Sequence, residues 1–424
     1  QTITQMKTVT SKQSNFIPVA IIGALFFIFG FITWLNGILI PYLKIACELT
    51  NFESTFVAFA FYISYTLMAL PSSWLLRRTG FKRGMSWGLI TMAIGTTVFI
   101  PAALSRDYHI FLVGLFIIGT GLAILQTASN PYITILGPKE TAARRISLMG
   151  IFNKLAGAAA PLILAYFILS DGDQLTETLK TLEGASRTAQ LDQLAHRVIL
   201  PYGVMTATLL LLAAGIRLSP LPELEEQQDE ENEHNEEKKK SILAFPQLIL
   251  GAITLFFYVG AEVIAGDTII RYGQSLNISI EIAKSFTSYT LIAMVVGYIA
   301  GIILIPKVLS QRAALLGSAV LGLAFTLGAI RTEGMVSVSF IAALGLANAL
   351  VWPAIWPLAL DGLGRFIKTG SALLIMAIAG GALLPLVWGK LSDIYSARQA
   401  YWVLVPCYLI ILYYAQRGYK LRKW

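Results

Sequence analysis

Residues 17–43 read IPVAIIGALFFIFGFITWLNGILIPYL, and no acidic or basic side chain interrupts them. An α-helix needs about 20 apolar residues to cross about 30 Å of hydrocarbon. This run is longer and less polar than a buried core helix requires, so it reads as a membrane span. The rest of the chain repeats the pattern. Of 424 residues, 56% are hydrophobic and 13% charged, and the mean hydropathy is +0.68. A soluble domain carries about 25% charged residues, so a soluble globule is excluded. Further apolar runs fall at 52–76, 84–104, 109–136, 145–169, 196–217, 246–270, 280–306, 312–330, 335–360, 369–389 and 399–416. They bring the expected count to twelve helices. Barrel strands alternate in and out over about ten residues, and these runs do not alternate. The expected class is an all-α polytopic membrane protein.

Two hydrophilic stretches break the series. Residues 170–193 follow the fifth run. Residues 220–240 follow the sixth, near the midpoint, with ELEEQQDEENE at 223–233 and Lys238, Lys239 and Lys240 at the end. That composition cannot bury a core, so it reads as a linker between halves. The expected organisation is a tail 1–16, a six-helix bundle 17–217, a charged linker 218–242, a second six-helix bundle 243–416 and a basic tail 417–424. The stretch from Gln1 to Asn15 lacks the apolar segment and cleavage site of a signal peptide.

Basic residues set the orientation. Even-numbered gaps carry Arg77, Arg78, Lys82 and Arg83, then Lys139, Arg144 and Arg145, then Lys307 and Arg312, then Arg365 and Lys368. Odd-numbered gaps are poorer and mixed with acids, as at Arg106-Asp107. Both termini and the linker are therefore expected in the cytoplasm. The net charge of +8 belongs to short interhelical turns, so no nucleic-acid surface is expected. Cys47 and Cys407 have no disulfide or metal-site spacing and read as packing residues.

The halves resemble one another. Pro131 and Pro161 lie 30 residues apart in the fourth and fifth runs, and Pro357 and Pro385 lie 28 apart in the tenth and eleventh. Two related bundles are the architecture of alternating-access carriers, with the substrate near the midplane between them.

Polar groups in hydrocarbon are costly unless they face a cavity or a partner, so they mark the pathway by default. Candidates for substrate contact are Asn36, Gln126, Asn130, Asn153, Glu262, Asn348, Trp352 and Trp356. Gln126 and Asn130, four apart, share a helix face, as do Asn348, Trp352 and Trp356. Amides and acids match the donors and acceptors of a polyhydroxylated solute, and indoles pack on the apolar face of a pyranose. Taken singly, Asn36 or Asn348 is as readily an interhelical hydrogen bond. Glu262, Asp267 and Lys154 are the candidates for ion coupling. Either Glu262 pairs with Lys154 across the cavity, or a seventh-run carboxylate holds sodium, a hard cation that prefers oxygen ligands; Glu262 is expected to matter more than Asp267. Trp74, Trp87 and Trp402 read as interfacial anchors.

The turn Arg77-Arg78-Thr79-Gly80-Phe81-Lys82-Arg83-Gly84 resembles the basic loop between the second and third helices of the major facilitator superfamily. Its four cations are expected to act in gating, docking on carboxylates or C-terminal dipoles of a neighbouring helix only while the cytoplasmic side is closed. Leu35-Asn36-Gly37-Ile38-Leu39-Ile40-Pro41, Gln126 to Tyr132, Leu136-Gly137-Pro138, Phe152-Asn153-Lys154, Tyr258 to Glu262 and Ile270-Arg271-Tyr272 resemble the fucose:galactose:glucose symporter family. The resemblance runs from about Ile17 to Ala415. It implies a major facilitator fold, two pseudo-symmetric six-helix bundles, in a bacterial cytoplasmic membrane. In the fucose/proton symporter of that family the positions matching Gly37 and Gln126 are an aspartate and a glutamate, regarded as its protonation and substrate residues. Both acids are missing here, while Lys154 and Glu262 stand where that carrier is uncharged. This pattern is similar to the glucose/galactose branch, in which some members couple to sodium.

The expected function is therefore cation-coupled hexose symport, with sodium favoured over the proton and no other cofactor. The expected partners are a monosaccharide, the cation and membrane lipid, with a monomer as the working unit. Alternatives are a proton-coupled sugar or N-acetylhexosamine symporter and a non-transporting sugar sensor. His109, His196 and His234 are scattered without ligand spacing, which disfavours a membrane enzyme, and no phosphate-binding glycine loop suggests a primary pump.

Overall fold

The computed structural model describes residues 16–135, 142–221, 241–305, 308–363 and 366–422. The tail 1–15, Leu136-Gly137-Pro138 and most of the charged linker lie outside them. Among the described residues there is no strand, and eleven helices are long and apolar enough to cross a membrane. They are Ile17–Ala46, Asn51–Leu76, Arg78–Ser105, Tyr108–Asn130, Arg145–Ile168, Gly184–Leu218, Pro246–Asp267, Ile280–Leu304, Gln311–Arg331, Gly334–Leu360 and Thr369–Ile394. The run expected at 399–416 is helical in three consecutive pieces, Ala397–Ala400, Tyr401–Val403 and Leu404–Gln416, the middle one a tighter 3₁₀ turn. The chain is a multi-pass, all-α membrane protein.

Local chemistry places the breaks. Gly80, at φ 76° and ψ 172°, turns the chain between the second and third spans in a conformation that only glycine adopts readily. Thr50 and Glu53 form a reciprocal capping box that starts the second span. The hydrophilic stretch after the fifth span folds into two helices, Gly172–Thr181 and Gly184–His196. Their buried Leu175, Leu179, Leu191 and Leu194 recur at helical spacing, which is why so polar a segment still packs.

The internal repeat is visible in backbone contacts. A Cβ on Gly30 of the first span would come within 1.7 Å of the Asn153 carbonyl oxygen of the fifth, and one on Gly380 of the eleventh within 1.7 Å of the Phe256 carbonyl oxygen of the seventh. Small residues let membrane helices approach this closely, where packing takes over from the hydrophobic effect.

Hydrogen bonds joining the halves gather at mid-membrane and on the side opposite the chain ends. Arg271 Nη1 donates to the Asn51 carbonyl (3.2 Å) and Ser54 Oγ (2.9 Å). The Phe52 amide donates to Asp393 Oδ2 (3.1 Å), and the Ile280 amide to Asp173 Oδ1 (3.0 Å). Ser288 Oγ donates to the Ala158 carbonyl at 2.5 Å. The halves are thus closed on that side, with the short helix Gly184–His196 packed on the first span, where Tyr42 Oη donates to the Leu194 carbonyl at 2.8 Å, and Gly172–Thr181 packed against Ile280–Ala283 of the other half.

Candidate substrate and coupling site

The fifth and seventh spans meet at a buried ion pair. Lys154 Nζ stands 2.6 Å from Glu262 Oε1, with the two side chains 10% and 12% exposed. The ammonium also lies 4.4 Å from the centroid of the Trp34 ring. Trp34 wedges between halves, since a Cβ on Gly157 or Gly266 would collide with its indole. Of the two arrangements open to Glu262 from sequence, the structure adopts the pairing with Lys154. Tyr258 and Tyr298 place their hydroxyls in the electrostatic neighbourhood of Glu262.

The candidate amides divide. Gln126 is half-buried and its Nε2 donates to Tyr65 Oη at 3.2 Å. Asn130, one turn on, is half-buried. Asn153 is half-buried, with Nδ2 3.4 Å from the Phe26 carbonyl. Trp352 and Trp356 stack, centroids 5.2 Å apart and planes 25° apart, each half-buried. Such rings offer an apolar platform for a sugar face. Asn36 is buried beside Tyr62 and also borders a small, mostly apolar cavity inside the first bundle, with Ile32, Phe61, Ile118 and Met205.

Asn348 is 0% exposed; its Oδ1 accepts from Tyr408 Oη at 2.9 Å, while its Nδ2 has no hydrogen-bond partner among the described residues. It ties the tenth span to the twelfth, the interhelical role that polar groups often take in membranes. The tenth span breaks between Asn348 and Trp352, where Gly334–Asn348 ends and a new helix begins at Val351.

Asp267 is 1% exposed, and neither carboxylate oxygen has a hydrogen-bond partner among the described residues. Sequence ranked it below Glu262; the structure leaves it the less satisfied acid. Of the basic turn, Arg78 lies 4.0 Å over the Trp74 ring, Lys82 Nζ donates to the Ser219 carbonyl (2.6 Å) and Arg83 is exposed. Lys82 thereby caps the end of the sixth span, within its own half.

Residues not singled out from sequence complete the site. Tyr62 and Tyr65 come from the second span, and Arg271 comes from one turn beyond Asp267. The signal that could have found Arg271 is a cation four residues after an acid, on the same helix face. The tyrosines carried none, because their hydroxyls sit on an otherwise apolar helix.

A family model described as Major Facilitator Superfamily matches residues 22–379. The chain belongs to the Major Facilitator Superfamily. A glucose/galactose transporter of Brucella abortus is 34% identical over 98% of this chain and 97% of its own length. The L-fucose-proton symporter of Escherichia coli is 30% identical, covering 91% and 89%. A crystal structure of the E. coli fucose:proton symporter superposes with a TM-score of 0.74 at 28% identity, over 95% of this chain and 99% of that one. These superfamily relatives are transporters, not enzymes.

Proposed function

We propose that this chain is a hexose symporter that takes up glucose or galactose with a cation by alternating access. The observation that carries the reading is the Lys154–Glu262 pair, buried at mid-membrane between two bundles and flanked by Trp34. A charged pair in that position has no cheap structural excuse, and it is where a carrier of this fold holds its substrate. Gln126, Asn130 and Asn153 supply amides from the first bundle, and Trp352 with Trp356 a stacked surface from the second. The Brucella relative's name supports hexose.

The reading places both termini in the cytoplasm of a bacterium by the distribution of basic turns, so the closed side faces outward and the protein works as a monomer in the inner membrane. Sodium is supported by the missing acids at Gly37 and Gln126. The proton is supported by the name of the E. coli relative and by Glu262, whose carboxylate is already committed to Lys154. Uptake of a labelled sugar panel into proteoliposomes, with and without sodium at fixed pH, tests the reading. Exchange of glucose or galactose against internal sugar is the expected result. Binding without exchange would make the protein a sensor.

A further inference from the structure

The eighth span, Ile280–Leu304, begins after Ser279, whose backbone at φ −60° and ψ 149° already has the extended shape of an N-cap. Thr50 (φ −68°, ψ 169°) and Ser310 (φ −74°, ψ 156°) stand the same way at two other helix starts. Each caps its own helix, accepting from the amide three residues on at 3.1 Å. Ser279 is exposed and its side chain makes no cap bond. The amides at this start are served from the other half instead. Asp173 Oδ1 accepts from the Ile280 amide at 3.0 Å and its Oδ2 from the Glu281 amide at 3.4 Å. Glu281, whose carboxylate would repel Asp173, is drawn onto Lys284 Nζ at 2.5 Å.

Asp173 sits on a rigid part of the first bundle. Arg197 Nη2 donates to Asp171 Oδ2 at 2.9 Å, Arg187 Nη2 to Glu48 Oε1 at 2.8 Å, and Arg106 Nε stands 2.9 Å from Asp192 Oδ1. These bonds fasten both short helices to their own half. Among the described residues, their hydrogen bonds to the second half come from Asp173 alone. The approach is close, since a Cβ on Gly172 would come within 3.0 Å of the Ile280 side chain, and Ile280 and Leu175 are buried.

We propose that Asp173 and Ser279 exchange the start of the eighth span between them as the outer side closes and opens. The proposal rests on the alternating-access reading and adds to it the element that sets the balance between its two states. Helix-start amides without a partner are costly, and a carboxylate there also meets the positive end of the helix dipole. In the closed form Asp173 fills this place. When the halves part, Asp173 leaves with the first bundle, and Ser279, with its backbone already set, needs only to turn its hydroxyl onto the Glu281 or Ile282 amide. Neither state strands the amides. The equilibrium is therefore biased by the difference between a charged cap from across the seam and a hydroxyl cap from the span's own chain.

Labelling of a cysteine in the closed outer seam reads that equilibrium. Thr55 is 0% exposed and faces Gly389 of the other half, where an added Cβ would come within 2.7 Å of its methyl group. The parent is full-length protein in detergent carrying Cys47→Ser, Cys407→Ser and Thr55→Cys, and its rate of reaction with a maleimide follows the open population. Asp173→Ala removes a cap from the closed form and should speed labelling at least twofold. Ser279→Ala removes one from the open form and should slow it at least twofold, both within the range known for cap losses. The two changes together should bring the rate back toward the parent. Fraying of Gly172–Thr181 would also speed labelling in Asp173→Ala, but it gives Ser279→Ala no reason to slow it. An Asp173→Ala rate less than twofold above the parent overturns the latch. A Ser279→Ala rate that is unchanged or faster, or a combined variant equal to Asp173→Ala alone, overturns the exchange. If Asp173→Ala is not monodisperse, Asp173→Ser decides by the same twofold criterion, because its side chain is one atom too short to reach the amides. Absence of hexose counterflow in wild type is a failure of the symporter reading instead; the labelling rates need no sugar and decide the latch separately.

Discussion

Lys154 of the fifth span and Glu262 of the seventh form an ion pair of 2.6 Å that joins the two bundles at mid-membrane, with Trp34 as its wall. Every carrier cycle that parts the bundles must stretch, hydrate or re-form this pair. The pair is therefore a structural tie between the bundles.

Removing one partner should be worse than removing both. Breaking a buried pair costs about 3–5 kcal/mol because the survivor is left as an uncompensated charge. Glu262→Gln and Lys154→Gln are each expected to lower the unfolding midpoint in detergent and to abolish counterflow, while the double variant recovers part of the stability. A double variant no more stable than the worse single one would remove the coupling.

Gln126 and Asn348 should behave oppositely. Gln126→Ala takes away a half-buried amide of the proposed sugar site, and losing such a partner is expected to cost about 1–3 kcal/mol, or about 5- to 150-fold in galactose affinity. Asn348→Ala breaks the bond to Tyr408 and should lower thermal stability with affinity unchanged. Equal affinity losses in the two variants would return Asn348 to the sugar site.

Gly80→Ala should cost about 1–3 kcal/mol, since φ 76° and ψ 172° suit a residue without a Cβ. Gly203→Ala is the control: a Cβ there meets nothing within 4 Å, and the position lies inside Ile199–Leu218. Its midpoint should stay level or rise with the helix propensity of alanine. A Gly80→Ala protein as stable as wild type would show that the turn relaxes freely.

Asp171 gives a pH signature outside the membrane. The Arg197 guanidinium hydrogen-bonds its carboxylate and holds its pKa below the ordinary range, against the opposing effect of partial burial. A depressed folded-state pKa contributes stability that is present above the unfolded value of about 3.9 and is lost as pH falls through the folded one. Asp171→Asn should therefore be less stable than wild type from about pH 5 to 8, by less than about 1 kcal/mol because the pair is part-exposed. The difference should shrink on acidification below about pH 4. A difference that grows there would reverse the sign of the linkage.

Apolar length alone dictated that this chain spans a membrane, because hydrocarbon accepts only helices that satisfy their own backbone, and the paired prolines exposed the internal repeat. Glu262 and Lys154 stood out as charges at helix depths where solvation is absent. Their being partners was undetermined, since 108 residues separate them and only packing of the two bundles brings them to 2.6 Å. The same packing separated the two seventh-span acids. Asp267 lies five residues from Glu262, about 140° away around the helix axis, and both its carboxylate oxygens are buried without a hydrogen-bond partner among the described residues. Asn348 shows the converse. Its residue type admitted either a ligand or a tie between helices, and only tertiary structure showed its Oδ1 bonded to Tyr408 on the twelfth span while its Nδ2 stays unpartnered among the described residues. Sequence fixes which side chains are costly in a bilayer; tertiary structure decides which of them are already compensated by a neighbour and which still await a ligand.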